Sequence, residues 1–118
     1  MPRRDEREKR VSIAEIEDLI ARTARGERAA FLDLYDRTSA KLFGICLRVL
    51  DDRADAEEVL QETYVKIWRN ADRYTANGLS PMTWLITVAR NSAIDKRRSR
   101  GRGDRGLEAA AELPAGGP

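Results

Sequence analysis

The stretch DDRADAEEVLQETYVKIWRNADRY, residues 51–74, decides the fold of this chain. Its large apolar residues recur at steps of three and four, which is the spacing of an α-helix with one buried face. We expect that face to contain Val59, Leu60, Tyr64, Ile67, Trp68 and Ala71. The first half, Asp51–Glu62, carries six carboxylates against one Arg. The pattern therefore predicts a helix that buries one side and presents dense negative charge on another.

A second stretch, WLITVARNSAIDKRRSRGR at residues 84–102, has the opposite charge. Seven basic residues lie between Arg90 and Arg105, and only Asp95 and Asp104 oppose them. Favourable interaction with a helix C-terminus accounts for about two or three of these cations. The excess favours contact with the phosphates of a nucleic acid. A small protein with one acidic and one basic helix is typical of an adaptor between a protein machine and nucleic acid.

The rest of the sequence predicts helices and no strand. Ser12 and Glu15 have the spacing of a capping box, so we expect the first helix to open at Ser12 and to stop at Gly26. A second helix follows from about Glu27 to Leu50. We therefore predict an all-α fold, a compact bundle of about four helices with a central antiparallel helix pair.

A capping residue predicts the start of the fourth helix. Residues 74–80 form a loop with the turn pair Asn77-Gly78, after which Ser80 caps and Pro81 occupies the first helical position. We expect the helix to end near Arg98, with Leu85, Val88, Ala89 and Ser92 facing inward. Its polar face is predicted to contain Thr83, Thr87, Arg90, Asn91, Ile94, Arg97 and Arg98.

Composition sets the domain limits. Residues 1–11 are charged and poor in apolar residues, which predicts a disordered tail, and residues 101–118 have the Gly, Pro and Ala content of a linker. The globular domain is then expected to span residues 12–100. Both termini are expected to be flexible.

Several functional classes are excluded by composition. The chain has one Cys and no His, so a Cys/His zinc site and a His-based catalytic triad cannot form. Cys46 lies in an apolar run, and a lone buried thiol suits a reducing cytoplasm. No apolar run approaches the roughly 20 residues that cross a bilayer. We expect no enzyme activity, no cofactor and no membrane insertion.

Individual residues keep two interpretations at this stage. Asp55, Glu58 and Glu62 share one helix face with Gln61 beside them, either as a solvated surface or as a site for a basic partner. Trp68 and Trp84 are either core residues or, for Trp84, the border of a pocket for an unstacked base. Asn91 is a poor helix former in mid-helix, which hints at a base reader.

Residues 27–100 resemble region 2 of an extracytoplasmic-function (ECF) sigma factor of bacterial RNA polymerase. The resemblance is carried by the acidic AEEVLQETY helix and the WLITVARNSAIDKRR helix, in that order and at that distance. It implies that the acidic helix docks on the coiled coil of the polymerase β′ subunit. The residues on the matching helix are Asp55, Glu58, Gln61, Glu62, Tyr64 and Trp68.

The resemblance also implies a nucleic-acid site and regulation. The loop and fourth helix would bind the single-stranded non-template strand of the −10 promoter element and hold one flipped base, with Asn91 lining the pocket. The DNA-binding residues are then expected to be Asn77, Gly78, Leu79, Ser80, Met82, Thr83, Trp84, Thr87, Arg90, Asn91, Lys96, Arg97 and Arg98. Family members usually also have an anti-sigma factor that masks these surfaces.

The resemblance is incomplete, since nothing in the chain resembles region 4, the helix-turn-helix that recognises the −35 element. We therefore expect these residues to be part of a longer gene product. Two other functions stay open on the residues alone. One is a helical module that binds duplex DNA, and the other is a protein-interaction domain without affinity for nucleic acid.

Overall fold

The computed structural model describes residues 4–74 and 80–112, with side chains described for residues 13–74 and 80–101. These residues form helices α1 (Arg4–Ala24), α2 (Arg28–Leu50), α3 (Arg53–Asn70) and α4 (Pro81–Glu112), with a single 3-10 turn at Ala71–Arg73. The described part contains no strand, and the predicted all-α bundle is confirmed. No helix in these ranges is both long and apolar enough to cross a bilayer.

Helix α2 is the centre of the bundle. Its fully buried residues follow one another at steps of four: Ala30, Leu34, Thr38, Leu42, Cys46 and Leu50. Because an α-helix has about 3.6 residues per turn, each step of four advances the buried stripe by roughly 40° around the axis. The buried side therefore winds around α2, and α2 packs against all three other helices.

Helices α2 and α3 run antiparallel. Phe31, near the start of α2, stacks edge to face on Trp68, near the end of α3, with ring centroids 5.1 Å apart. Further along α2, Thr38 is hydrogen-bonded to Tyr64, one turn earlier in α3. The expected central antiparallel pair is thus present, and both helices place their apolar sides in one core.

The helix ends follow local chemistry. Asp51 ends α2 in the left-handed region (φ 51°), which Asp tolerates better than most residues. Asp52 then caps α3, since its carboxylate accepts a hydrogen bond from the Asp55 backbone N–H at 2.9 Å. Ser80 caps α4 as predicted, and its Oγ accepts from the backbone N–H of Met82 at 3.2 Å. Gly26 adopts φ 85° directly after α1, which confirms it as the stop.

The buried threonine hydroxyls are satisfied by their own helices. Three threonines are fully buried, and each hydroxyl donates to the carbonyl four residues earlier, at 2.7 to 2.8 Å. The pairs are Thr23 with Leu19, Thr38 with Leu34, and Thr63 with Val59. These bonds remove the cost of burying a hydroxyl without a partner.

Two predicted boundaries were wrong. Helix α1 begins at Arg4, so Ser12 lies inside the helix instead of capping it, and residues 4–11 are helical instead of disordered. Helix α4 continues to Glu112 instead of ending near Arg98. The reason is the same at both ends: Arg, Glu, Lys, Leu and Ala have high helix propensity, and adding a residue to an existing helix costs far less than nucleating one.

The predicted buried faces are largely confirmed. In α3 and the 3-10 turn, Val59, Leu60, Tyr64, Ile67 and Ala71 are buried, but Trp68 is 40% exposed. Trp68 lies at the edge of the contact with α2, so its ring is covered on one side only. In α4, Leu85, Ala89 and Ser92 are buried and Val88 is half-buried.

Candidate functional site

Helices α3 and α4 run antiparallel and are joined by ion pairs. Lys96 Nζ lies 3.1 Å from Glu58 Oε2, and the Arg100 guanidinium pairs with the Asp55 carboxylate. The acidic start of α3 therefore lies beside the basic run of α4. The two charged stretches of the sequence are neighbours, and part of each neutralises the other.

The Glu58–Lys96 pair affects both interfaces that the sequence predicted. The hydrogen bond to Glu58, and then its negative charge, raise the pKa of the Lys96 ammonium above its ordinary value. Lys96 is thus held protonated and half-buried against α3. Asp55 is likewise paired within the domain, since its carboxylate contacts Arg100 and its side chain is only 20% exposed. Part of the charge of each of these side chains is therefore neutralised within the domain.

Helix α3 has two distinct polar sides. Asp55 and Glu58 face α4, whereas Glu57 and Gln61 face α2 and line a groove between α2 and α3. The groove has a volume of about 430 Å³ and is lined by Tyr35, Ser39, Ala40, Phe43, Arg53, Glu57, Leu60 and Gln61. The predicted polymerase-binding residues are therefore divided between the two sides of α3.

An aromatic cluster lies at one end of this groove. Tyr35 packs edge to face on Tyr64, with ring centroids 4.7 Å apart, and Phe31 packs on Tyr64 and Trp68 at 6.2 and 5.1 Å. Tyr35 and Trp68 are 39% and 40% exposed, so they give the surface an aromatic rim. Amphipathic rings of this kind are enriched in protein–protein contacts.

Tyr64 does not belong to that surface. It is 4% exposed, and its hydroxyl is hydrogen-bonded to Thr38 inside the core. Burial raises the pKa of Tyr64 to about 12. Its ring and hydroxyl are both used in packing α2 against α3, so they offer little surface to a partner in this structure. Gln61, Glu62 and Trp68 are exposed, as a contact residue must be.

Helix α4 presents a broad polar face to solvent. The exposed residues among those predicted for this face are Thr83, Thr87, Arg90, Asn91, Arg97 and Arg98, while Ile94 is half-buried. Thr87, Asn91 and Arg98 are separated by four and seven residues and so lie along one line of the helix. Thr87 donates its hydroxyl hydrogen to the Thr83 carbonyl at 2.8 Å. Asn91 combines donor and acceptor atoms in a solvent-facing position.

The start of α4 packs against Tyr74. Trp84 is half-buried and lies against Tyr74, with ring centroids 5.5 Å apart. The Tyr74 hydroxyl is buried and has no hydrogen-bond partner among the described residues. Met82 is also half-buried, and Ser80 is exposed. Asn77, Gly78 and Leu79 lie outside the described residues.

Lys66 is a polar contact between α3 and α4 that was not among the predicted site residues. This residue of α3 donates from Nζ to the buried hydroxyl of Ser92 at 2.9 Å, directly beside Asn91 in α4. The available signal was its spacing with Glu62 and Arg69, which places it on the side of α3 that Asp55 and Glu58 share. Among the described residues, no group of acidic or Cys side chains is close enough to hold a metal ion.

Residues 34–103 match the family Sigma-70 region 2. That span begins within α2 and includes all of α3 and the part of α4 up to residue 103, so it contains the residues that form the α3–α4 contacts. The chain belongs to the sigma-70 region 2 family. The buried stripe of α2, the capped start of α4 and the α3–α4 ion pairs are thus features of a region 2 domain.

Mycobacterial sigma factors are among its curated relatives. The chain is 43% identical over 81 residues to the ECF RNA polymerase sigma factor SigK of Mycobacterium ulcerans, covering 69% of the chain and 43% of SigK. It is 36% identical over 85 residues to SigK of Mycobacterium bovis, covering 72% of the chain and 46% of SigK. The chain therefore spans less than half the length of the curated relatives it matches.

A solved structure shares the fold. It is the NMR structure of an engineered region 2 of sigmaE in complex with GTAAAA, with a TM-score of 0.67 and 29% sequence identity. The similarity covers 74% of this chain and 90% of the sigmaE chain. Nearly all of that region 2 domain therefore has a counterpart in the helices described here.

Proposed function

We propose that this region 2 domain binds core RNA polymerase through α3 and the single-stranded non-template strand of a −10 promoter element through α4. It would thereby recognise promoters and help to open them at the start of transcription. The observation that carries the proposal is the likeness to a sigmaE region 2 solved in complex with GTAAAA. The exposed polar line of α4, with Asn91 at its centre, supports it.

On the nucleic-acid side, this chain supplies binding free energy and no covalent step. An unstacked base held by Asn91 and the preceding loop offsets an unpairing cost of a few kcal/mol. Asn77, Gly78 and Leu79 belong to this proposed pocket. Arg97 and Arg98 are exposed and would position the strand through its phosphates, because phosphate contacts orient a protein while base contacts specify the sequence.

On the polymerase side, the geometry favours the groove side of α3 as the centre of docking. Gln61 and the half-exposed Trp68 offer a hydrogen-bonding amide beside an aromatic surface on this side. Glu62, on the neighbouring side that faces α4, adds an exposed carboxylate at the rim. An aromatic centre with charges at its rim is the usual anatomy of a protein interface. A basic surface such as the β′ coiled coil is the partner that this charge fits.

Fluorescence anisotropy with labelled GTAAAA, its complement and the duplex tests the nucleic-acid part. We expect GTAAAA to bind more tightly than the other two, with log affinity falling linearly with log salt. Tighter binding to the duplex would identify a duplex reader instead. If none of the three bound, the function would be that of a protein-interaction domain without affinity for nucleic acid.

The polymerase part is tested by charge reversal. Glu62→Lys is expected to weaken retention of the chain by immobilised core RNA polymerase, because it places a cation against a basic partner. Asp18→Lys, an equal change on α1, is the matched control, since Asp18 makes only an exposed i,i+4 pair with Arg22. Helical circular dichroism should be unchanged in both variants. Equal retention of wild type and Glu62→Lys would contradict docking through α3.

The proposal also concerns regulation and place of action. A domain that serves RNA polymerase acts in the bacterial cytoplasm. An anti-sigma factor that covers α3 and α4 would compete with both ligands at once. Adding such a protein should therefore release core enzyme and single-stranded DNA in parallel.

A further inference from the structure

One side of α3 carries a continuous charged stripe, which changes sign along the helix. Its acidic half is Asp55, Glu58 and Glu62, and its basic half is Lys66, Arg69 and Arg73. The members from Asp55 to Arg69 are three or four residues apart, so they lie along one line of the helix, and Arg73 follows in the 3-10 turn after α3. Their contacts show that this line faces α4: Asp55 meets Arg100, Glu58 meets Lys96, and Lys66 meets Ser92.

The antiparallel packing places the basic half of the stripe beside the first half of α4. That half of α4 contains the polar residues Thr83, Thr87 and Asn91, but Arg90 is its only cation before Lys96. The more basic second half of α4 lies beside the acidic half of the stripe, where two of its cations are already paired. The first half of α4 is therefore flanked by cations of two helices, Arg90 of α4 itself and the basic half of the α3 stripe.

Lys66 is the best placed of these cations. Its Nζ is 2.9 Å from the Ser92 hydroxyl, and Ser92 is only 2% exposed. An ammonium group has three donors, so one bond to Ser92 leaves two for another acceptor. Ser92, the neighbour of Asn91 in the sequence, thus holds the ammonium against α4. Among the ion pairs of the described residues, none involves Lys66, Arg69 or Arg73.

We propose that Lys66 and Arg69 of α3, together with Arg73 of the 3-10 turn that follows it, bind the phosphodiester backbone of the single strand whose bases lie against α4. This inference rests on the proposed function and adds a second helix to the nucleic-acid surface. The strand would run in the channel between α3 and α4, with its bases towards Asn91 and its phosphates towards the cationic end of α3. Phosphate is the ligand because the three residues offer charge and donors without any acceptor.

The test is the salt dependence of binding to single-stranded GTAAAA and to a scrambled oligonucleotide of the same length. Lys66→Gln and Arg69→Gln should each weaken binding to both oligonucleotides by a similar factor. Each should also reduce the slope of log affinity against log salt by roughly 0.7, the value for one lost phosphate contact on a single strand. Lys66→Arg keeps the charge and should keep the wild-type slope.

Arg53→Gln is the matched control. It removes one cation from the same helix, but Arg53 lies 13 residues before Lys66, roughly 20 Å away, on the groove side. It should leave the slope unchanged. Arg69→Gln keeps the test valid if Lys66→Gln disturbs packing at Ser92.

The inference would be overturned if the salt slopes of Lys66→Gln and Arg69→Gln were equal to the slope of Arg53→Gln. The proposed function would still stand in that case, provided that wild type binds GTAAAA. A loss confined to GTAAAA would also overturn it, because a phosphate contact is blind to sequence. If wild type bound neither oligonucleotide, the proposed function itself would be wrong.

Discussion

Replacing Tyr64 by Phe is expected to lower the free energy of unfolding by about 1 kcal/mol, the usual contribution of one buried hydrogen bond. The Thr38 hydroxyl already donates its single hydrogen to the Leu34 carbonyl at 2.7 Å, so Tyr64 is the donor in its bond to Thr38. Tyr64→Phe removes that donor and leaves no buried N–H or O–H without a partner. The cost should therefore be modest, a fall in melting temperature of about 4–8 °C.

Thr38→Val is the informative comparison. It leaves the Tyr64 hydroxyl buried without its acceptor, and an unsatisfied buried group costs about 1–3 kcal/mol. Thermal denaturation should thus rank Thr38→Val as more destabilising than Tyr64→Phe. Tyr35→Phe, a change at the 39% exposed neighbour, should be close to wild type. The reverse order of the two core variants would refute the assignment of donor and acceptor.

The same residue predicts an alkaline loss of stability. Burial raises the pKa of Tyr64 to about 12, above the ordinary value of 10.0. Above pH 10 the unfolded chain releases this proton while the folded chain retains it, so the contribution is complete below pH 10 and is lost as pH rises towards 12. Two pKa units correspond to about 2–3 kcal/mol. The stability advantage of wild type over Tyr64→Phe, about 1 kcal/mol at pH 9, should therefore vanish between about pH 10 and 11 and change sign by about pH 11.5. A constant gap in urea titrations would count against it.

Three further outcomes follow from the site. Asn91→Ala should lower discrimination among oligonucleotides that differ at one base, because it weakens the binding free energy for the preferred base by about 1–3 kcal/mol. Equal losses on all bases in anisotropy titrations would exclude base recognition. Glu58→Gln releases Lys96 and should raise affinity for single-stranded DNA more than Glu57→Gln, which removes the same charge on the groove side; equal gains would show a general charge effect. Ser80→Ala removes the cap of α4 and should cost about 1 kcal/mol of unfolding free energy in denaturant titrations, whereas no loss would show that the bond to Met82 is dispensable.

Local chemistry alone was enough to predict the helices and most of their ends. Periodic apolar residues define one side of each helix, and Gly26, Ser80 and Pro81 act within a few residues of their own position. The same reasoning failed at Ser12 and beyond Arg98, where a possible cap and a Gly-rich composition were given more weight than the propensity of the charged and Ala-rich residues around them. A capping pattern permits a helix to start, but it does not stop an existing helix from continuing through it.

The sequence by itself determined an all-α fold, an acidic helix, a basic helix and the polar line that contains Asn91. Only the tertiary structure decided that these two helices pair through Glu58 and Lys96, that Tyr64 is buried while Trp68 is half-exposed, and that Lys66 is bonded to Ser92 of α4. Helical periodicity fixes which residues share a side, because it is a property of one segment. Which neighbour covers that side depends on the direction and register of packing between helices, which are set by contacts between residues far apart in the chain.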